Sequence, residues 1–338
     1  MDVTPSTAAF EQSTGMGPVR IDPNFSAQGL PLLVESSDPG VSLAGWAAQN
    51  QPLIESSFDR HGAILFRGFD VRTVEEFEIA AGSIAKELYG GYGDLPRAGA
   101  SEKIYASTPY PADQRILFHC ESSHLNSWPL RIAFFCMQAA ETGGETPIFD
   151  CREVCRHMSP ALLDRFRKRG LMYIRNFGEG LDVSWQKFFH TEDRQVVEEK
   201  CRQENLEWDW KPSGGLRVRH RTEAVRKHPK TGEEVFFNQL QLHHLACLDP
   251  EVRKSLLSIF APEDLPRSVC YGDGTTIQDE VMDELSDLFE SISVEFPWRN
   301  GDLLAADNML AAHARNTFTG PRRIVVAMGE MIDAPRRA

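Results

Sequence analysis

The chain has 338 residues, 41% hydrophobic and 25% charged, which is ordinary for a globular protein and enough for a sizeable core. Its 36 Lys and Arg against 49 Asp and Glu leave a formal charge of −13, which argues against nucleic acid and anionic lipid as partners, since both need cations on the protein. The start lacks a basic and apolar leader pattern, the apolar run 132–137 is too short to span a bilayer, and the seven cysteines follow no framework spacing, so reduced thiols in a cytoplasmic protein are expected.

Residues 1–40, rich in Pro, Ser, Gly and Thr and without periodicity, are expected to form a loosely ordered N-terminal arm, leaving 41–338 as a single domain. The apolar run 63–66 between Gly62 and Gly68 predicts a buried strand. Val74, Phe77, Ala81, Ile84 and Leu88 then recur at helical spacing up to Gly90-Gly91. Ser159 and Pro160 open a second helix that carries Leu162, Leu163 and Phe166 on one face and stops at Gly170. Asp249-Pro250 opens a third helix through Phe260, and a fourth is expected over 278–291 with Val281, Leu285 and Leu288 on one side. Strands are expected over 130–137, 171–175, 234–238, 294–299, 303–307 and 323–328, with Asn300-Gly301 as a hairpin turn. Many short strands late in the chain, with helices inserted, predict a mainly β fold with added helices built on a jelly roll.

The sharpest chemical feature is His119-Cys120-Glu121. Side chains at i and i+2 of a strand share a face, so His119 and Glu121 project together while Cys120 points away and packs as a small hydrophobe. Imidazole plus carboxylate is two-thirds of a facial triad that suits Fe(II), completed once a second imidazole arrives. The adjacent His-Glu of zincins is absent, because Cys120 intervenes. Taken alone the spacing is common. Downstream, however, lie His313, Arg315 and the run Gly320-Pro321-Arg322-Arg323, and Gly143-Gly144-Glu145-Thr146 makes a turn followed by a hydroxyl donor.

In combination, His119-x-Glu121, Gly-Gly-x-Thr146, Asp307-Asn308 followed by His313, and the Gly-Pro-Arg-Arg run resemble the Fe(II)/2-oxoglutarate dioxygenases of the taurine dioxygenase group, closest to their syringomycin-type amino-acid hydroxylase branch. The resemblance covers roughly 60–330. It implies a double-stranded β-helix, cupin-like in architecture, with Fe(II) held by His119, Glu121 and His313. It also implies 2-oxoglutarate chelating the iron through its keto-acid end, O2 as oxidant, and a distal carboxylate meeting Thr146 and an arginine. Arg322 and Arg323 are adjacent, so only one can face inward from a strand. Arg323 shares its parity with Val325 and Ala327 and fits the family pattern, with Arg322 and Arg315 as alternatives. Taurine dioxygenase looks to have a second arginine where this chain has Ala327.

Glu121 keeps the carboxylate that related halogenases replace by a small residue, so the resemblance implies oxygenation: 2-oxoglutarate gives succinate and CO2 while a substrate C–H bond is oxidised. Hydroxylation is the default, with desaturation or ring closure as alternatives from the same radical. Ser122, Asn126, Arg175, Asn238 and Asp273 stand where the family builds its substrate pocket. A polar pocket suits an amino acid, free or bound to a carrier protein, in specialised metabolism. The rival readings, a metal-binding jelly roll without turnover or a zinc hydrolase, leave Thr146 and Arg323 without a purpose. Of the other histidines, His124 is expected in the pocket or at the surface, His243-His244 at the surface or in a polar core, and His61 and His228 exposed.

Overall fold

The computed structural model describes residues 17–91, 96–99, 101–178 and 183–334. Its backbone is a seven-stranded sheet in which the long strand Ser127–Gln138 is paired antiparallel with Leu303–Asp307 on one side and Arg323–Asp333 on the other. Beyond Leu303–Asp307 come Ala63–Arg67, Leu32–Ser36 and Val19–Asp22, and Ile104–Ala106 closes the opposite edge. The expected arm is therefore ordered from residue 17 onward, and residues 1–16 lie outside the described residues. Leu32 and Val34 are buried and their strand runs parallel to Ala63–Arg67. A strand of five residues flanked by Pro and Ser carries too little periodicity to be read alone; its pairing partner supplies what local sequence does not.

Both faces of this sheet are covered. On the outer face Phe135, Leu303, Ala305, Val325 and Ala327 meet the helices Leu43–Gln49 and Val74–Ile84. The latter begins in a capping box between Thr73 and Glu76 and ends at Ile84, short of Gly90-Gly91. On the inner face Ile132, Phe134, Leu304, Ile324, Val326 and Met328 turn toward a second sheet of three strands, Ile116–His119, Ala311–Arg315 and Ile148–Asp150. Two sheets facing each other across a core, with helices outside, are the mainly β jelly-roll architecture, and they do not close into a barrel. The buried ion pair from Arg67 to Asp302, at 2.9 and 2.6 Å, ties the Ala63–Arg67 strand to the turn at Asn300-Gly301.

The expected strand over 294–299 is a single bridge, Val294 to Ile148. Phe296 and Trp298 are buried there by side-chain packing, while Pro297 between them cannot donate to a ladder. Between the two jelly-roll halves the chain inserts helices and a four-stranded sheet in which Leu171–Phe177 lies between Leu216–Thr222 and Arg267–Tyr271. Pro160–Arg169 and Asp279–Ile292 pack into the core beneath it, the latter through Met282, Leu285 and Phe289. Among the described residues no helix is long and apolar enough to cross a membrane.

Candidate active site

Antiparallel pairing sets His313, on Ala311–Arg315, directly opposite His119 at the end of Ile116–His119. Their rings lie 4.3 Å apart between centroids, and Glu121 lies two residues past the strand end. Ligand atoms of His119, Glu121 and His313 all fall within 4.8 Å of one another. The backbone of Glu121 is strapped by Asn308, whose Oδ1 accepts from Glu121 N–H at 2.7 Å and whose Nδ2 donates to Glu121 O at 2.9 Å. Ser122 sits at φ 56, and its N–H reaches a Glu121 carboxylate oxygen at 3.1 Å, so the unusual backbone turn aims the carboxylate. Asn308 belonged to the sequence motif, but its role as a strap required the fold.

The donor set fits Fe(II). Two imidazoles and one carboxylate on a rigid sheet edge are the ligand types of a facial triad, with positions left for further ligands. Burial, then the neighbouring His119, pushes the His313 pKa well below its ordinary value, which keeps the ring neutral with a lone pair to give. His313 Nδ1 is also a buried nitrogen with no hydrogen-bond partner, the kind of orphan a native interior rarely tolerates. His119 Nδ1 is engaged with Leu117 O at 2.9 Å, which orients its ring.

The triad opens into a cleft that also exposes Thr146, Arg315 and Arg322. Trp298 Nε1 donates to the Thr146 hydroxyl at 3.1 Å, leaving the hydroxyl proton free to donate onward. Arg322 donates through Nε to Gly144 O at 2.9 Å, and no carboxylate among the described residues pairs with it. Burial, and next the charge of Arg315, hold the Arg322 pKa down to about 10, so an anion placed here relieves both costs. Arg315 spends its terminal nitrogens on the carbonyls of Tyr110, Pro111 and Gln114, at 2.6–3.0 Å, and shares the ring of Phe318 with Arg322.

Arg323 is exposed and lies outside the cleft, contrary to the parity expectation. Ile324 and Val326 line the cleft, whereas Val325 and Ala327 face the helices. Because the strand is apolar on both sides, its pattern does not reveal which parity is inward, and the register shifts between Arg323 and Ile324. The glycine pair explains how Arg322 reaches its place. Gly144 has φ 75, and a Cβ there would sit 2.9 Å from Arg322 Cδ; Gly143 has φ 68, and a Cβ would sit 2.2 Å from Thr317 O. Gly143→Ala is expected to cost at least about 1–3 kcal/mol in urea unfolding, through the left-handed backbone and the backbone clash.

The expected substrate residues divide. Ser122 is buried beside the triad. Asn126 is committed to other partners: Nδ2 to Glu204 and Oδ1 to His220 Nε2 at 3.0 Å. Asn238 accepts from Leu240 N–H at 3.1 Å, and its main-chain oxygen receives Cys120 N–H at 3.2 Å. Asp273 is exposed and closes its own turn by accepting from Thr275, so it leaves the pocket set. Arg175 stacks on Phe177 and Phe188, 4.8 and 4.3 Å from their ring centres. His228, expected at the surface, is buried on Asp307 at 3.1 Å, and His61 is half-buried against Gly29 O at 2.6 Å. Cys120 is buried against Cys151, facing away from the triad as expected.

A model of the family described as "Taurine catabolism dioxygenase TauD, TfdA family" matches residues 26–328. The chain is similar to the dapdiamide synthesis protein DdaC of Enterobacter agglomerans, 36% identical over 303 residues, which cover 87% of this chain and 92% of DdaC. Its fold is similar to that of PvcB, described as an Fe, alpha-ketoglutarate dependent oxygenase from an isonitrile synthetic pathway. That likeness has a TM-score of 0.53 at 16% identity and covers 93% of this chain and 92% of PvcB. A taurine dioxygenase from Burkholderia xenovorans is similar in fold to the same degree, with a TM-score of 0.52 at 16% identity over 93% of this chain and 89% of that one.

Proposed function

We propose that this chain, which belongs to the TauD, TfdA family and is an Fe(II)- and 2-oxoglutarate-dependent dioxygenase, oxidises a C–H bond of an amino acid or amino-acid-derived substrate in specialised metabolism. The observation that carries the reading is the convergence of His119, Glu121 and His313 in the cleft that exposes Thr146 and Arg322. Similarity to a dapdiamide synthesis protein supports a place in small-molecule biosynthesis.

His119, Glu121 and His313 would hold the iron, and Thr146 and Arg322 would receive the distal carboxylate of 2-oxoglutarate. When bound, iron and 2-oxoglutarate supply an oxidant from O2, with succinate and CO2 released. The chain's own part is placement and shielding. Arg322 offers a forked guanidinium beside the Thr146 hydroxyl, so one carboxylate can take two or more charge-assisted bonds. Ile116, Ile132, Phe134, Ile324 and Val326 make the remaining wall apolar, which strengthens those bonds and keeps bulk water from the reacting centre. Hydroxylation is the default outcome of such a site.

Anaerobic titration of metal-free protein with Fe(II) and 2-oxoglutarate tests the reading: a visible charge-transfer band requiring both components is expected, and its absence with both present overturns the assignment. Arg322→Ala is expected to raise the KM for 2-oxoglutarate about tenfold or more, from loss of a charge-assisted pair, while Arg323→Ala leaves it unchanged. The reverse pattern in steady-state succinate release would return the role to Arg323.

A further inference from the structure

Residues 107–115 cross from the edge strand Ile104–Ala106 of the large sheet to the metal-ligand strand Ile116–His119 of the small one. Ser107, Thr108 and Ile116 line the cleft of the triad, so the crossover forms one of its sides. It has little of its own to hold it there. No side chain of 107–114 is buried, so apolar contact does not fix it. Pro109 and Pro111 lack an amide donor and keep the segment out of a ladder. Among the described residues, its main-chain donors from 107 to 114 make two backbone bonds, Ser107 N–H to Ile324 O and Gln114 N–H to Pro111 O, both at 3.2 Å.

What holds it comes from the strand of His313. Arg315 lies two residues beyond that ligand, lines the same cleft and is 7% exposed. Its Nη1 donates to Tyr110 O at 3.0 Å, and its Nη2 donates to Pro111 O and Gln114 O, both at 2.6 Å. The guanidinium also lies 5.7 Å from the Tyr110 ring centre and 5.2 Å from that of Phe318, whose N–H donates to Ala112 O at 2.9 Å. Arg115 pairs with Glu290 at the far end. One buried arginine thus satisfies three carbonyls of an exposed, proline-containing segment, a task that suits donors spread over a planar fork. Arg322 lies 5.4 Å from the same Phe318 ring, and no carboxylate among the described residues pairs with either guanidinium. An anion received by Arg322 therefore also steadies Arg315 where it stands, and by linkage a secured Arg315 favours the anion.

We propose that Arg315 is a positioning residue: it staples the crossover 107–115 along the cleft and so retains 2-oxoglutarate there, without itself taking the carboxylate. The inference rests on the proposed oxygenase reading and deepens it. It separates two buried arginines by task, Arg322 for the anion and Arg315 for the wall beside it. Loss of the staple releases Ser107 and Thr108 from the cleft and admits water, so 2-oxoglutarate leaves faster while the metal ligands keep their places.

Amide hydrogen exchange over 107–115, read by mass spectrometry in metal-free protein and in the anaerobic Fe(II)–2-oxoglutarate protein, tests the staple. Exchange in this segment is expected to slow when 2-oxoglutarate binds. Arg315→Gln should speed it about tenfold or more in metal-free protein and leave the strand 303–307 unchanged. The same variant should weaken the visible-band titration with 2-oxoglutarate about tenfold or more. Arg315→Lys keeps the charge but reaches fewer carbonyls, and its values should fall between the two. Unaltered exchange over 303–307 shows that the core is folded; if the glutamine variant does not fold, the lysine variant carries the same comparison. A weakened titration with unaltered exchange over 107–115 would make Arg315 a direct ligand and overturn the proposal. Faster exchange with an unweakened titration overturns it equally, as does a segment that 2-oxoglutarate does not slow. Failure of the band to form in the unaltered protein would instead overturn the oxygenase reading, and exchange in the metal-free variants would still decide the staple.

Discussion

Glu121→Ala is expected to lower 2-oxoglutarate-dependent succinate release by roughly a thousandfold or more, the scale of losing several kcal/mol of metal-centred stabilisation. The carboxylate is the single anionic ligand in the His119, Glu121 and His313 set, so its removal leaves two neutral imidazoles to hold a dication. One further feature makes the loss local. Asn308 grips the backbone of Glu121 through its N–H and C=O, neither of which the substitution touches. The main chain should therefore stay in place while the ligand disappears. Iron content after anaerobic loading and desalting, read beside succinate release, checks the origin: both should fall together. Turnover near the unaltered level would remove Glu121 from the metal shell.

Asp307→Asn is expected to reduce folding stability by about 3–5 kcal/mol, measured by urea unfolding at neutral pH. Asp307 is fully buried, takes an ion pair from Arg131 and a hydrogen bond from His228, and accepts the N–H groups of Met309 and Leu310 at 2.9 and 3.1 Å. Asparagine keeps the shape and loses the charge, so Arg131 remains buried with less compensation. Glu55, 3.4 Å from Arg131, retains part of it and places the expected loss toward the lower end. Burial opposes ionisation of Asp307, yet the His228 hydrogen bond and the Arg131 charge outweigh it and hold the carboxyl below its usual range. The sign follows from linkage. Stability from this group is present above the unfolded carboxylate value and is lost as pH falls through the lower folded value. The difference between Asp307→Asn and the unaltered protein should therefore shrink in acid; a constant difference across that range would place the cost elsewhere than in the charge.

Much of the site was legible because its parts are local or rigidly spaced. The spacing of His119 and Glu121 marked them as a pair, although the strand ends at His119 and a turn rather than alternation aims the carboxylate, and the family motifs supplied His313, Thr146 and the arginine run. Ala63–Arg67, Leu303–Asp307 and Pro160–Arg169 carried clear periodicity or punctuation, and the structure places elements at all three. What could not be read depended on neighbours distant in sequence. Arg322 and Arg323 cannot be told apart on a strand apolar on both sides, since alternation identifies an inward face only when the other face is wet. His228 sits among Lys227, Pro229 and Lys230 and reads as surface, but Asp307 draws it inside.

The opposition of His119 and His313 across two strands bears on how the protein comes to life on the ribosome. One histidine is made long before the other, and the strand of the second is also the middle of its three-stranded sheet. The central sheet has the same dependence, because Leu303–Asp307 must slot between Ala63–Arg67 and Ser127–Gln138. A nascent chain thus has neither the central sheet nor the proposed ligand set assembled until residues 303–315 have emerged. Iron loading would follow that closure, and iron held by the proposed ligands would lock the early and late strands together, so resistance to unfolding is expected to rise with iron supply.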